Sequence, residues 1–298
     1  MRLAFRQVDV FARRPLAGNG LAVIRTDEPL EAALMQELTR ELRQFETIFL
    51  TPSANPGCFC ARVFTMDEEL AFAGHPAIGA AAVLHEAFGG DHFDLRLALP
   101  SRIIPLTSKL EGENYEVAMN QGTAMFGDEI PFRDQSEWLS CFGLGHEHVG
   151  VGIPMTIAST GLPYLIVPVT AEGLERARIS VPDLEQRLAA VGAKFVYLFD
   201  TKNREGRTWD NRGLTEDIAT GSAAGPVAAL LVRHGLARAG EDILLRQGRF
   251  TGRASEMKVR LIGSRDQDQS EVMLEGSVVM VARGEFDARV VRGLGLPS

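Results

Sequence analysis

The spacing of apolar and polar residues changes period repeatedly along this chain, and each change marks an element. "RLAFRQVDVF" carries β-branched and aromatic residues in loose alternation and predicts a strand. Residues 28–45 set Leu30, Ala33, Leu34, Leu38 and Leu42 on one helical face, and "ETIFLT" and "FCARVFT" predict two strands after that helix. A second helix is predicted over 76–88, with Pro76 in its first turn and Gly89-Gly90 as its stop. "HFDLRLAL", "RIIPLTSKL" and "YEVAMN" then read as a run of antiparallel strands. Over 121–130 the patterning lapses, which makes this stretch a candidate hinge. Beyond it the series resumes with a helix near 136–142, strands "MTIAST" and "YLIVPV", helix "VPDLEQRLAAV" and strand "KFVYLFD". A glycine-flanked helix ending at Gly235 precedes strands "DILLRQG", "EMKVRLIG" and "EVMLEGSVVMVARGEF", with the polar "SRDQDQS" as the turn between the last two.

Two of these helices begin alike. "ELAFAGHPAIGAAAVL" lays over "EDIATGSAAGPVAALL", so that Ala73-Gly74-His75 falls on Thr220-Gly221-Ser222, and each leads into an Ala-rich helix with strands on both sides. A duplicated α+β lobe is the simplest account. The expected organisation is an N-terminal lobe over 1–122, to which 284–298 returns, and a C-terminal lobe over 123–283. A ligand site is expected in the cleft between them.

The repeated junction has a physical use. A helix start leaves backbone N–H groups unpaired, and the helix dipole gives that end a partial positive charge. Glycine lets a ligand approach it closely, so Gly74 and Gly221 mark two anion-receptive ends, with His75 and Ser222 beside them as donors or caps. Two carboxylates lie near. Glu46 opens a strand within "QFETIFL", between apolar neighbours, where desolvation suits a carboxylate to general base or acid work. Asp217 stands three residues before Thr220. Read alone, Ser222 and Asp217 are also ordinary capping or turn residues, Glu46 an ordinary helix-end residue and His75 an ordinary structural histidine.

Composition narrows the class. The 298 residues are 45% hydrophobic and 23% charged, an ordinary globular balance, and the net charge of −8 is spread along the chain. Neither nucleic acid nor an anionic membrane surface is an expected partner. No signal-like or membrane-length apolar stretch is present, so a cytoplasmic protein is expected. The three cysteines Cys58, Cys60 and Cys141 suit reduced thiols rather than a disulfide framework. "HEH" lacks the spacing of a helical zinc site, "CFC" has no second pair, and no Gly-rich phosphate loop occurs, so neither a metal nor a nucleotide cofactor is expected.

Taken together and in order, "FRQVDVFARRPLAGNGLAV", "FETIFL", "ARVFTMDEELAFAGHPAIGAAAVL", "EDIATGSAAGPVAALL" and "QGRFTGRASEMKV" resemble the phenazine-biosynthesis PhzF-like isomerases. The resemblance spans nearly the whole chain. It implies an α+β fold of the diaminopimelate epimerase type, with two pseudo-symmetric lobes, each a curved, mainly antiparallel sheet around a central helix. It implies a cofactor-independent isomerase or epimerase moving a proton on a small, amino-acid-like carboxylate, with homodimers common. The alternatives are a lyase or tautomerase of the same fold, or a binding protein without turnover. On the matching positions Glu46 is the proton-transferring carboxylate, His75 and Asp217 assist it, and Asn19, Gly74, Thr220, Gly221 and Ser222 line the substrate. Thiol-using epimerases of this fold carry cysteine at the positions of Ala73 and Thr220, so a two-thiol mechanism is not expected. Three positions depart from the pattern: Phe45 for serine, and Gly20 and Ile218 for proline. Phe45 sets a ring beside the base where the family has a hydroxyl, which points away from the dihydro-hydroxyanthranilate substrate of the phenazine pathway.

Overall fold

A computed structural model describes residues 3–72, 74–263, 270–287 and 290. Ala73 and residues 264–269 of the "SRDQDQS" segment lie outside them. The chain divides into two compact units, Met1–Met119 with Glu275–Ser298, and Asn120–Leu274.

The first unit contains strands β1 (Ala4–Val10), β2 (Asn19–Arg25), β3 (Glu46–Pro52), β4 (Cys58–Thr65), β5 (Glu69–Leu70), β6 (His92–Ala98) and β7 (Ile103–Glu111). Most of β8 (Asn114–Thr123) belongs to it, with helices α1 (Ala32–Leu42) and α2 (His75–Phe88). Strand β1 pairs antiparallel with β2, β2 runs parallel to β3, and β3 and β4 are antiparallel. Strand β4 meets β5 antiparallel and β6 parallel, and β6, β7 and β8 continue antiparallel. Helix α2 is buried without a break from His75 to His85, as a helix with Ala, Ile, Val and Leu on every side between them must be, and it packs on β1, β2, β3, β6 and β7. Gly79 allows that approach, because a Cβ there would run into the Leu21, Val10 and Val8 side chains. A second cluster, with Leu34, Met35, Leu38, Phe49 and Phe64, holds α1.

The second unit contains β9 (Met125–Glu129), α3 (Phe132–Cys141), β10 (Thr156–Ser159), β11 (Pro163–Pro168), α4 (Ala171–Arg176), α5 (Leu184–Ala190) and β12 (Phe195–Asp200). There follow β13 (Glu205–Trp209), β14 (Glu216–Asp217), α6 (Gly221–Arg233), β15 (Ile243–Gln247) and β16 (Ser255–Ile262). Its pairings repeat those of the first unit. Strands β10 and β11 are antiparallel, β11 and β12 parallel, and β12 and β13 antiparallel. Strand β13 meets β14 antiparallel and β15 parallel, and β15 and β16 are antiparallel. Helix α6 is buried from Gly221 to Val232.

Several expectations change. Residues 121–130 are not irregular: they hold the end of β8 and all of β9. Backbone pairing of β9 with β10 holds this stretch while its side chains stay largely exposed, so apolar alternation is missing. The return to the first unit begins earlier than 284. Strand β17 (Glu271–Glu285) already pairs with β1 from Val278, opposite Val10, to Glu285, opposite Ala4. Strands β2 and β13 carry little alternation because both are buried on nearly every residue. Helix α1 is shorter than 28–45, since Arg43 turns left-handed at φ 51° and β3 starts three residues later.

Candidate active site

Glu46 begins β3, opposite Leu21 on one side and Thr65 on the other, and only 7% of it is exposed. His75 is the first residue of α2, behind Gly74, whose carbonyl accepts the first helical bond from the Ile78 N–H at 3.3 Å. Pro76 takes the position where no donor is needed. His75 Nδ1 lies 3.4 Å from Glu46 Oε2 and 3.3 Å from Asn19 Nδ2. Asn19, itself fully buried, opens β2 after a loop shaped by Asp9, whose carboxylate accepts the Leu16 N–H at 2.6 Å. Gly18, at φ +64°, gives that loop its last bend against the Val10 carbonyl.

Burial pushes the His75 imidazole down to about 3, so it is neutral at pH 7. A neutral imidazole has one N–H. With the proton on Nδ1 it donates towards Glu46; with the proton on Nε2, Nδ1 accepts from the Asn19 amide. Nε2 is buried and finds no hydrogen-bond partner among the described residues. An unpartnered buried nitrogen costs about 1–3 kcal/mol, and such costs collect at functional sites.

The second junction is built on hydrogen bonds. Thr220 precedes α6, and its carbonyl accepts from the Ala223 and Ala224 N–H groups. The Gly221 and Ser222 N–H groups therefore lie ahead of the first intrahelical bond. Asp217 closes β14 opposite Thr208, and its Oδ2 accepts the Thr220 hydroxyl at 2.5 Å. Gln247, at the end of β15, donates through Nε2 to the Asp217 carbonyl at 2.7 Å and to Thr220 Oγ1 at 2.9 Å. Its Oε1 accepts from the Tyr197 hydroxyl at 3.0 Å and the Thr220 N–H at 3.1 Å. Burial, with the charges of Asp217 and Glu205, pushes the Tyr197 phenol up, so it stays a donor. Ser222 Oγ lies 2.7 Å from the Tyr164 hydroxyl. Gln121 donates to the Gly221 carbonyl at 2.9 Å, and a Cβ on Gly225 would collide with its amide oxygen.

Within the first unit the structure gathers Asn19, Glu46, Gly74 and His75. Within the second it gathers Asp217, Thr220, Gly221 and Ser222. Sequence reasoning missed the supports of the second group: Gln121, Tyr164, Tyr197 and Gln247. Gln247 does open the quoted "QGRFTGRASEMKV" segment, and that was the available signal. "HEH" forms a short turn in which His148 Nδ1 accepts the Gly145 N–H at 3.2 Å. Among the described residues no helix is long and apolar enough to cross a membrane.

Known proteins agree with this architecture. The family model described as phenazine biosynthesis-like protein matches residues 8–284. A curated relative from Pseudomonas chlororaphis, trans-2,3-dihydro-3-hydroxyanthranilate isomerase, is 34% identical over 93% of this chain and 96% of its own. A solved structure of a predicted epimerase from Pseudomonas aeruginosa superposes with a TM-score of 0.90 at 49% identity, covering 96% of this chain and 99% of that one. A hydroxyproline epimerase from Agrobacterium vitis, solved with bound trans-4-hydroxy-L-proline, shares the fold at a TM-score of 0.63 and 12% identity, covering 97% of this chain and 93% of that one. With the family model matched over residues 8–284 and a curated relative 34% identical over 93% of the chain, the chain belongs to the phenazine biosynthesis-like family, and it is an isomerase.

Proposed function

We propose that this chain isomerises or epimerises a small, amino-acid-like carboxylate without a cofactor, and that Glu46 moves the proton. The observation that carries the proposal is the buried Glu46 carboxylate held 3.4 Å from a neutral, buried imidazole at a helix start. A carboxylate so placed is a positioned acid/base group, and groups of this kind contribute about 10²–10⁴-fold to a proton transfer. In the proposed step a C–H bond of the substrate breaks, the proton goes to Glu46, and the electron pair stays delocalised towards the substrate carboxylate. The proton returns at another carbon or on the other face. Nothing is oxidised or reduced.

The substrate carboxylate is assigned to the first-turn N–H groups of Gly221 and Ser222, where the start of α6 favours negative charge. Gly74 and Asn19 are assigned to substrate contact beside His75, and Asp217 to the second acid/base position. The fold is read as the two-lobed diaminopimelate epimerase type. Its support is the repeated pairing order, antiparallel, parallel, antiparallel, that leads into α2 and again into α6. Phe45, half-buried beside Glu46, favours a substrate other than trans-2,3-dihydro-3-hydroxyanthranilate.

The test is carbon-bound deuterium incorporation in heavy water, with chelator-dialysed protein and a panel of trans-2,3-dihydro-3-hydroxyanthranilate, proline, trans-4-hydroxy-L-proline and a bacterial metabolite pool. At least one acid should gain mass with the parent and none with Glu46→Gln. Equal exchange by both proteins sinks the proposal.

A further inference from the structure

In the second junction the hydrogen-bond polarity around Gln247 can be worked out from the backbone alone. The Thr220 N–H can only donate and the Asp217 carbonyl can only accept, so the Gln247 amide has one permitted orientation, with Oε1 towards Thr220 and Nε2 towards Asp217. The other two bonds follow. Nε2 donates its second proton to Thr220 Oγ1, and Oε1 takes the Tyr197 proton on its second lone pair. Two donors and two acceptors are thereby used, and Gln247 is fully engaged and 1% exposed. Thr220 Oγ1, already accepting from Gln247, has its own proton left, and that proton points at Asp217 Oδ2 over 2.5 Å. Both polar groups of Thr220 that the sequence offers to a substrate, N–H and hydroxyl, are thus used inside the unit.

The described residues of the first unit show no such arrangement. Leu70 faces Val63 as Asp217 faces Thr208. Cys60 pairs with Ala98 in parallel, and Glu205, as far before Thr208 as Cys60 is before Val63, pairs with Arg246. The next residue is Leu99 in one unit and Gln247 in the other. A fold of this kind closes with leucines at both positions, so the fold itself does not require the polar pair in the second unit. Buried polar networks that a fold does not need call for another explanation.

We propose that Gln247 and Thr220 are positioning residues, a fixed relay that orients the Asp217 carboxylate through the hydroxyl that Thr220 donates to it. The relay rests on the assignment of Asp217 to the reaction, and it moves Thr220 from substrate contact to support of that carboxylate. Gln247 holds the hydroxyl in the donating sense, Thr220 delivers it, and Tyr197 closes the far side of the amide.

Crystal structures and exchange kinetics of three variants test this. Thr220→Val keeps the shape and removes the donor, Thr220→Ser keeps the donor, and Gln247→Glu keeps both acceptors and removes both donors. In Thr220→Val and Gln247→Glu the Asp217 carboxylate should leave its parental orientation or adopt two, whereas Thr220→Ser should superpose on the parent. With the panel acid that exchanges fastest, kcat should fall at least roughly tenfold in Thr220→Val, the worth of one hydrogen bond to a charged group, with KM little changed, and recover in Thr220→Ser. An Asp217 carboxylate in its parental place in folded Thr220→Val overturns the relay without any assay. A parental kcat in Asp217→Asn instead overturns the assignment of Asp217, a different result read on a different variant. If Gln247→Glu does not fold, the two Thr220 variants decide alone.

Discussion

Glu46 Oε2 and His75 Nδ1 lie 3.4 Å apart, both buried, with the Asn19 amide touching the same ring nitrogen. One imidazole nitrogen thus faces an acceptor and a donor, and it can serve only one at a time. That suits the proposed proton transfer, because the ring nitrogen can donate towards the carboxylate or accept from the Asn19 amide. Glu46→Gln keeps the volume and removes the proposed base. Its kcat for deuterium exchange should fall at least ~10³-fold, with KM changed only a few-fold. A variant with near-parental kcat on a true substrate would remove Glu46 from the mechanism.

His75 also sets a pH dependence of stability. Its imidazole is held at about 3 by burial, below the ordinary 6.5 of an exposed histidine. Between those values the unfolded chain binds a proton that the folded chain refuses, so stability falls as pH drops from about 6.5 towards 3. At pH 5 the loss traceable to this group is about 2 kcal/mol. His75→Asn, with nothing to titrate, should lose less stability to denaturant between pH 7 and pH 5 than the parent, by about that amount. Identical losses in the two proteins would show that His75 does not carry the effect.

The two junctions were legible because glycine-bounded, mostly apolar helical runs are strong signals, and α2 and α6 are buried along nearly their full length. Glu46 was legible as a carboxylate set between apolar residues. Its place in the repeat was not. Leu21 faces Glu46 on the parallel pair β2–β3, and Tyr164 faces Phe195 on the parallel pair β11–β12, so the Glu46 carboxylate and the Phe195 ring stand in corresponding positions. Tyrosines within "YLIVPV" and "KFVYLFD" look like ordinary strand residues, since period and burial say nothing of where a hydroxyl ends. The hydrogen bonds of Tyr164 and Tyr197 join residues 58 and 50 apart, a distance at which no local pattern helps.

The thiols should be bystanders. Cys58 and Cys141 are buried and Cys60 is exposed, and burial pushes the Cys141 thiol up, which makes it a poor nucleophile. None belongs to either junction. The triple variant with serine at all three positions should turn over within several-fold of the parent, and iodoacetamide should label Cys60 first without stopping exchange. Complete inactivation of a folded triple variant would restore a thiol to the mechanism.

Ser222 is placed at the α6 start by Tyr164, whose hydroxyl it meets at 2.7 Å. Tyr164 is 3% exposed, and its ring rests near Phe195 and Tyr197, with centroids 5.7 Å and 6.5 Å away. Tyr164→Phe therefore removes one O–H while keeping the packing. If Ser222 orients the substrate rather than moving its proton, Ser222→Ala should raise KM with kcat within a few-fold. Tyr164→Phe should raise KM in the same direction, by roughly 2–10-fold for one hydrogen bond. If Tyr164 acts through its contact with Ser222, the double variant should be little worse than Ser222→Ala alone, and the shortfall from additivity is the coupling of the pair. Fully additive effects would mean that Tyr164 acts elsewhere. A collapse of kcat in Ser222→Ala with KM unchanged would instead give its hydroxyl a part in the proton transfer itself.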